Sequence, residues 1–148
     1  MNKKFGIPNI LGLLVLGSLV YFYPHYRDDP ATGDPDARQE TVIQEAFASR
    51  RSGIPVEFTA RVSRLLADDI REPRHQRFVV RLGSGHSLLI AHNIDLAPRI
   101  TDLDTDDTVR VRGVYEWNRD GGVIHWTHHD PAGKKTGGWI RHKNKRYQ

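Results

Sequence analysis

Histidine side chains crowd into one short stretch near the C-terminal end of the chain. His125, His128 and His129 fall within residues 121–131, between a pair of glycines and a proline, and Asp130 follows them directly. Imidazole and carboxylate ligands without thiolates suit zinc or another borderline divalent ion. This stretch is therefore the first candidate for a functional site.

The spacing limits how these histidines could share one ion. Residues 123–128 read as a strand, and successive side chains of a strand point to opposite faces. His125 and His129 would then lie on one face and His128 on the other, so the three could share an ion only if the strand ends near Thr127. Otherwise one or two of them would need His75, His92 or a carboxylate from another strand end as a further ligand. His142, carried back by an anchored tail, is the fourth metal candidate. The alternative is that the histidines form hydrogen bonds at strand ends and turns.

Other polar and aromatic side chains could contribute to the same site. The ligand-binding candidates are His75, His92, Asp95, Arg99, Trp117, His125, Trp126, His128, His129 and Asp130. Four aromatic residues could stack on bases or sugars across a barrel face, namely Tyr115, Trp117, Trp126 and Trp139. Residues 91–99 could instead form a loop that plugs the barrel end.

An acidic pair offers a second kind of chemistry. Asp68 and Asp69 end a predicted strand, and Arg81 lies on the next one, an arrangement that could bind a cation and a phosphodiester as a nuclease does. An acidic turn is the commoner explanation of such a pair.

Five strands are the elements that would position these residues. Apolar alternation or short buried runs predict strands at residues 56–66, 75–82, 86–91, 108–117 and 123–128. A hairpin between the second and third strands and a long connection before the fourth indicate a mainly β domain, a small five-stranded OB-like Greek-key barrel. An SH3-like barrel or a simple meander is the alternative.

One amphipathic helix is expected before the barrel, at residues 36–51. Asp36 is its predicted N-cap, and Gly53 is expected just past its C-terminal end. Gly113, in the middle of the long fourth strand, predicts a bend or bulge.

The N-terminal segment predicts a membrane anchor. Residues 5–23 contain no charge and would span roughly 28 Å as a helix, close to the hydrocarbon thickness of a bilayer. Lys3 and Lys4 predict a cytoplasmic N-terminus for residues 1–4. A linker at 24–35 and a domain at 36–148 follow, which places a single-pass protein in the inner membrane with its domain facing the periplasm or the outside.

A cleaved signal peptide is the alternative for this segment. Such a peptide ends in small residues. Here the apolar run ends in Tyr21, Phe22, Tyr23 and Pro24, which favours an uncleaved anchor.

Cysteine content and charge exclude several classes of protein. The chain has no cysteine, so a disulfide scaffold, a thiolate metal site and a cysteine nucleophile are all excluded. Residues 27–130 carry 14 basic against 18 acidic residues, whereas residues 132–148 carry six basic residues and no acidic one. The basic tail could touch lipid phosphates or nucleic acid, or it could be a solvated end that lies on the acidic domain. Six charges are few for a nucleic-acid groove, so nucleic acid is not an expected partner.

Several long motifs carry a family resemblance. They are His75-Gln-Arg-Phe78, residues 88–99, Tyr115-Glu-Trp-Asn118, residues 121–131, and the terminal Gly138, Trp139, Ile140, His142, Tyr147 and Gln148. From about residue 54 to the end, the chain resembles the uncharacterised bacterial family called domain of unknown function 3465. The resemblance implies a small β domain that is exported or attached to a membrane, and it implies no activity and no catalytic residue. Lys135 stands where the family usually has a histidine, which weakens any ligand set that needs that histidine.

These observations favour a binding module over an enzyme. We expect a membrane-anchored domain that holds a small ligand or an unknown envelope protein. The alternative is a metal-dependent hydrolase of the phosphodiesterase or nuclease kind, which would use the His/Asp cluster and a divalent ion such as zinc. A purely structural envelope component is the third hypothesis.

Overall fold

The structure, a computed structural model, describes residues 33–148. Its helix α1 spans Pro35–Ala48, and its strands are β1 (Ile54–Leu65), β2 (His75–Arg81), β3 (Ser87–Asn93), β4 (Thr108–Glu116), β5 (Val123–His125), β6 (Trp139–His142) and β7 (Lys145–Tyr147). The predicted anchor at 5–23 and nearly all of the predicted linker lie outside the described residues. Within residues 33–148, no helix has the length and apolar character needed to cross a membrane.

Five strands close into a barrel. The order of pairing is β1-β2-β3-β5-β4, and β4 pairs back with β1 to close the ring. All neighbours in the ring are antiparallel except β3 and β5, which are parallel. The expected mainly β fold with a closed five-stranded barrel and one preceding helix is confirmed.

The barrel closes because its strands alternate as the sequence suggested. The inward positions of β1 are Val56, Phe58, Ala60 and Val62, and each is buried. The corresponding positions of β2 and β3 supply further buried apolar side chains to the same core. Since residues 33–148 contain this whole closed core, we expect that segment to fold by itself.

Two short strands extend the sheet beyond the barrel. β6 pairs with β4 and β7 pairs with β6, so the basic tail becomes part of the sheet. The sequence analysis did not predict these strands. They have four and three residues, too few for an alternating pattern to stand out among the lysines and arginines.

The ends of α1 differ from the prediction. Asp34, not Asp36, is the N-cap: its carboxylate accepts the Asp36 backbone N–H at 3.0 Å, because Pro35 takes the first helical position. At the other end, Arg50 and not Gly53 is the left-handed residue that ends the helix, with φ of 54°; Gly53, also left-handed with φ of 73°, lies three residues further on. The N–H groups of Arg50 and Arg51 donate to the last helical turn, which completes a Schellman-type end.

Gly113 has a different role from the predicted bend or bulge. β4 keeps its register with β1 through this position, and the register shift lies in β1, between Val62 and Arg64. At Gly113 the other edge of β4 changes partner, from β6 to β5. A Cβ atom there would lie 2.5 Å from the His125 carbonyl oxygen, so only glycine allows the close approach of β5.

Candidate functional site

The histidine-rich stretch leaves the sheet directly after His125. β5 ends there, and the next residue, Trp126, has φ of 56°. That left-handed conformation is rare for a bulky residue and turns the chain away from the strand direction. The predicted strand at 123–128 is therefore wrong beyond His125, and its alternation does not apply to His128 and His129. Residues 126–138 instead form a loop that leads to β6.

Asp130 holds this loop in shape. Its carboxylate accepts the backbone N–H groups of Ala132, Lys134 and Lys135 at 3.1, 2.7 and 2.6 Å. These backbone donors, led by that of Lys135, lower the pKa of Asp130. Because both of its carboxylate oxygens accept hydrogen bonds inside the loop, Asp130, a predicted ligand-binding residue, stabilises the loop.

Gly138 anchors the far end of the loop. Its N–H donates to the His128 carbonyl oxygen at 2.8 Å. A Cβ atom at this position would lie 1.9 Å from the Trp126 carbonyl oxygen and 2.5 Å from that of Arg112. The absence of a side chain therefore lets the loop lie flat against β4.

The three histidines of the stretch are separated from one another. His128 is buried, and its Nδ1 donates to the His129 carbonyl oxygen at 2.7 Å, while its ring packs 4.8 Å from the ring of Trp126. The His129 side chain is exposed. His125 is half-exposed and places its Nε2 3.2 Å from a Glu116 carboxylate oxygen.

His142 lies at the opposite end of β6 from the loop, and not beside the other histidines as the sequence analysis expected. It is 1 % exposed, with Nε2 2.8 Å from Asp107 and Nδ1 3.6 Å from Asp102. The pKa of Asp102 is lowered first by the Lys143 side chain, and that of Asp107 first by the Asp104 backbone N–H, with His142 contributing to both. His142 thus ties the tail to the loop before β4.

The four predicted metal ligands are therefore not brought together. In the described part of the chain, no group of three or more histidine, aspartate or glutamate side chains is arranged to hold an ion.

His92 plugs the end of the barrel, as the structural alternative for residues 91–99 proposed. It is fully buried; its Nε2 donates to the Pro98 carbonyl oxygen at 3.1 Å, and its Nδ1 accepts from the Thr127 hydroxyl at 2.8 Å. Burial lowers the pKa of His92 to about 4. The imidazole is therefore neutral at physiological pH.

The remaining charged candidates form local ion pairs. Asp95 accepts the backbone N–H and the guanidinium of Arg74, which lower its pKa. Arg99 pairs with Asp68 at 2.8 Å. His75, half-buried at the start of β2, pairs in register with Asn93.

The acidic pair does not form the nuclease-like arrangement. Asp69 pairs with Arg71, just as Asp68 pairs with Arg99, so each carboxylate has its own guanidinium partner. Arg81 lies at the far end of β2, opposite Arg61.

Trp117 fastens α1 to the barrel. Its indole N–H donates to the Phe47 carbonyl oxygen at 3.1 Å, and the Arg50 guanidinium lies 5.4 Å from its ring centre. Of the other aromatic candidates, Tyr115 is buried in the core and Trp139 is 7 % exposed. Trp126 alone of the four remains available beside an open surface.

That surface is a groove of about 940 Å³ on the outer face of β1 and β4. Its walls are the start of α1 on one side and the loop 126–138 on the other. Of the predicted candidates, only His125 and Trp126 line it. The predicted site residues do not include Arg38, Arg112 and Lys135, although the alternation of β4 places Arg112 outward.

The groove carries an excess of positive charge. Its two carboxylates are engaged, Glu57 with Arg110 at 3.0 Å and Glu116 with His125 at 3.2 Å. Within residues 33–148, no acidic side chain pairs with Arg38, Arg112 or Lys135. The Lys135 ammonium lies 5.3 Å from the ring centre of Trp126, in a cation–π position.

Comparison with known proteins places the chain in a family without a known activity. No curated protein matches the sequence significantly. A family model described as "Protein of unknown function (DUF3465)" matches residues 29–148, which is most of the chain and includes every strand of the barrel. The chain therefore belongs to the DUF3465 family.

Proposed function

We propose that the chain is a membrane-anchored, extracytoplasmic binding module that holds an organic anion in the groove beside Trp126. The strand order and the parallel pairing of β3 with β5 support an OB-type barrel, a fold that commonly carries ligands. The charge-free residues 5–23 after Lys3 and Lys4 support the anchor and the orientation.

The observation that carries the proposal is the position of Trp126. A bulky residue in the left-handed region costs about 1–2 kcal/mol, and such strain persists where the surrounding structure enforces it, often at ligand sites. Here the enforcing contacts come from the rest of the loop, where the Asp130 carboxylate accepts three backbone N–H groups and the Gly138 N–H donates to the His128 carbonyl oxygen. The result is an aromatic ring, bonded through its N–H to the Thr136 carbonyl oxygen, at the wall of a groove whose volume suits a small organic ligand.

The lining residues indicate the chemistry of the ligand. An apolar or cyclic portion would lie against Trp126 and Val114, and a carboxylate, sulfonate or phosphate would lie against Arg112 and Lys135. Guanidinium groups bind such anions through charge-assisted hydrogen bonds. The Arg110–Glu57 pair gives the floor fixed polar groups that can orient the ligand.

Anilinonaphthalene sulfonate, an aromatic anion, is a suitable probe. Titrated into residues 33–148 and followed by its fluorescence, it is expected to bind the wild type and to bind Arg112→Gln about tenfold more weakly, the effect of one charge-assisted hydrogen bond. Trp126→Asn, which tolerates the left-handed conformation, is expected to weaken binding similarly. Arg81→Gln, an equal loss of charge on another face, is the matched control.

Equal affinities of the wild type, Arg112→Gln and Trp126→Asn would refute the groove as the binding site. Membrane attachment is tested separately. The full chain should stay with membranes through an alkaline wash, and recovery of the full chain in the soluble fraction would contradict the anchor.

A further inference from the structure

Three arginines lie side by side on the outer face of the sheet, next to the groove. Arg110 of β4 is the register partner of Arg141 of β6, and Arg141 is the partner of Arg146 of β7. Neighbouring strands are about 4.8 Å apart. All three side chains are exposed. We call Arg110, Arg141 and Arg146 the arginine row.

The arginine row is unfavourable for the isolated fold. Like charges directly opposite each other on neighbouring strands are destabilising. Glu57 pairs with Arg110 at 3.0 Å, but in the described residues no acidic side chain pairs with Arg141 or Arg146. An anionic partner outside the domain would relieve this repulsion.

The ring of Trp139 lies beneath the guanidinium groups of two arginines of the row. The guanidinium carbons of Arg141 and Arg146 lie 5.7 and 4.9 Å from the centre of its ring, and the residue is only 7 % exposed. The two arginines therefore cover the tryptophan, so β4, β6 and β7 present the charge of the row without an exposed aromatic ring. Trp126, the aromatic ring of the adjoining groove, lies on the loop 126–138 and not on these strands.

We propose that the arginine row docks on the anionic phospholipid headgroups of a membrane. A lipid surface requires only positive charge, whereas single-stranded nucleic acid is held by charge together with exposed aromatic rings on which bases stack. The large apolar side chains exposed within residues 33–148 are Leu65 and Ile70, and neither lies on β4, β6 or β7. The row therefore fits phosphate headgroups better than bases.

The length of the chain before the domain allows this docking. Only residues 24–34 separate the predicted anchor from Pro35, and such a segment spans at most about 40 Å. Pro35 and Arg110 line the same groove, so the first residue of α1 lies on the face that carries the row. The docking itself rests on residues 33–148 and does not depend on the groove holding a ligand.

The test is co-sedimentation of residues 33–148 with vesicles of phosphatidylcholine alone or mixed with phosphatidylglycerol. We expect binding only to the mixed vesicles, with weakening by added salt. The double variant Arg141→Gln/Arg146→Gln is expected to bind roughly 25-fold more weakly, about fivefold for each arginine. Arg64→Gln/Arg81→Gln removes the same charge from β1 and β2 and should reduce binding much less.

Several outcomes would overturn the proposal. The first is that the protein does not bind the mixed vesicles, and the second is that the two double variants lose equal amounts of vesicle binding. The third concerns competitors added to the bound protein: single-stranded oligonucleotide would release it at a lower phosphate concentration than added free phosphatidylglycerol does. The variant Arg141→Lys/Arg146→Lys keeps the charge and should keep the binding. If this lysine variant folds but no longer binds the mixed vesicles, packing of the arginines on Trp139, and not their charge, is what matters, and the proposal is overturned. Dye binding in the groove should be unchanged in the Arg141/Arg146 variants, because neither residue lines the groove, and this separates the present proposal from the previous one.

Discussion

His92 should make the stability of the domain depend on pH in a defined direction. Its imidazole is buried at the barrel end between the Pro98 carbonyl and the Thr127 hydroxyl, and burial lowers its pKa to about 4. In the unfolded chain the pKa returns to about 6.5. Between these values the unfolded state binds a proton that the folded state does not, so the free energy of unfolding falls as the pH is lowered from about 6.5 towards 4.

The size of this effect follows from the two pKa values. A difference of one between the folded and unfolded pKa is worth about 1.4 kcal/mol. At a pH near the folded value of about 4, the unfolded histidine is fully protonated and the folded one half protonated, so the loss relative to neutral pH is about 3 kcal/mol. Carboxylates such as Asp107 also lose their stabilising effect when acid protonates them. Because the pKa of Asp107 is lowered in the folded state, this loss occurs at a lower pH than the loss caused by His92.

A variant isolates the contribution of His92. His92→Gln cannot titrate, and its amide can still bond to Thr127. Urea unfolding of both proteins, followed by circular dichroism across the range from neutral pH to about pH 4, gives two stability curves. We expect the wild type to be more stable at neutral pH and its advantage to shrink by about 3 kcal/mol towards pH 4. Parallel curves would show that His92 is not buried in a neutral form, and the reasoning about the barrel end would be refuted.

The other predictions concern packing and metal. Gly138→Ala should lower the free energy of unfolding by about 3 kcal/mol in urea titration, because the new Cβ would meet the Trp126 carbonyl oxygen at 1.9 Å; an unchanged midpoint would contradict the close approach. Trp117→Phe should cost about 1 kcal/mol in the same assay by removing the bond to the Phe47 carbonyl, and no loss would argue that the bond is absent. Added zinc should leave the melting temperature of the metal-free protein unchanged, since the candidate histidines lie apart; a rise that chelator reverses would restore the metal hypothesis.

The barrel could be predicted because apolar and polar residues alternate along its long strands, and this alternation shows which side chains are buried. The alternation Val56, Phe58, Ala60, Val62 has one explanation, a half-buried strand, and the long strands β1, β2 and β4 all show such a pattern. The short strands β6 and β7 show no such alternation. β6 forms because β4 offers it a free edge, and β7 pairs in turn with β6, so both strands depend on an edge that exists only in the folded barrel.

The candidate site was harder to predict because one backbone angle decides it. If residues 126–129 had continued the strand, the histidines would have alternated between its faces. The left-handed turn at Trp126 instead buries His128, exposes His129 and brings Lys135 over the tryptophan ring. Nothing in local sequence favours that angle at a tryptophan. It is enforced by contacts from residues 130–138, which single-sequence patterns do not connect to it.

The groove was overlooked for a related reason. Attention to histidines and aspartates led to groups that the fold uses internally, such as His92, Asp95 and Asp130. The residues that remain available are arginines at outward positions of strands, where charge is usually attributed to a solvated face. Only the placement of Arg112 beside Trp126 and the loop makes that charge part of a site.

Amide nitrogen–proton correlation NMR of labelled residues 33–148, with and without anilinonaphthalene sulfonate, tests the central claim most directly. We expect the probe to shift the amide signals of the groove, namely those of Arg112, Val114, Trp126, Lys135 and Gly137. The signals of Arg64, Val79 and Ser87, which line a smaller pocket between β1, β2 and β3, should stay in place. Shifts confined to that smaller pocket would contradict the claim that the loop at 126–138 builds the binding site.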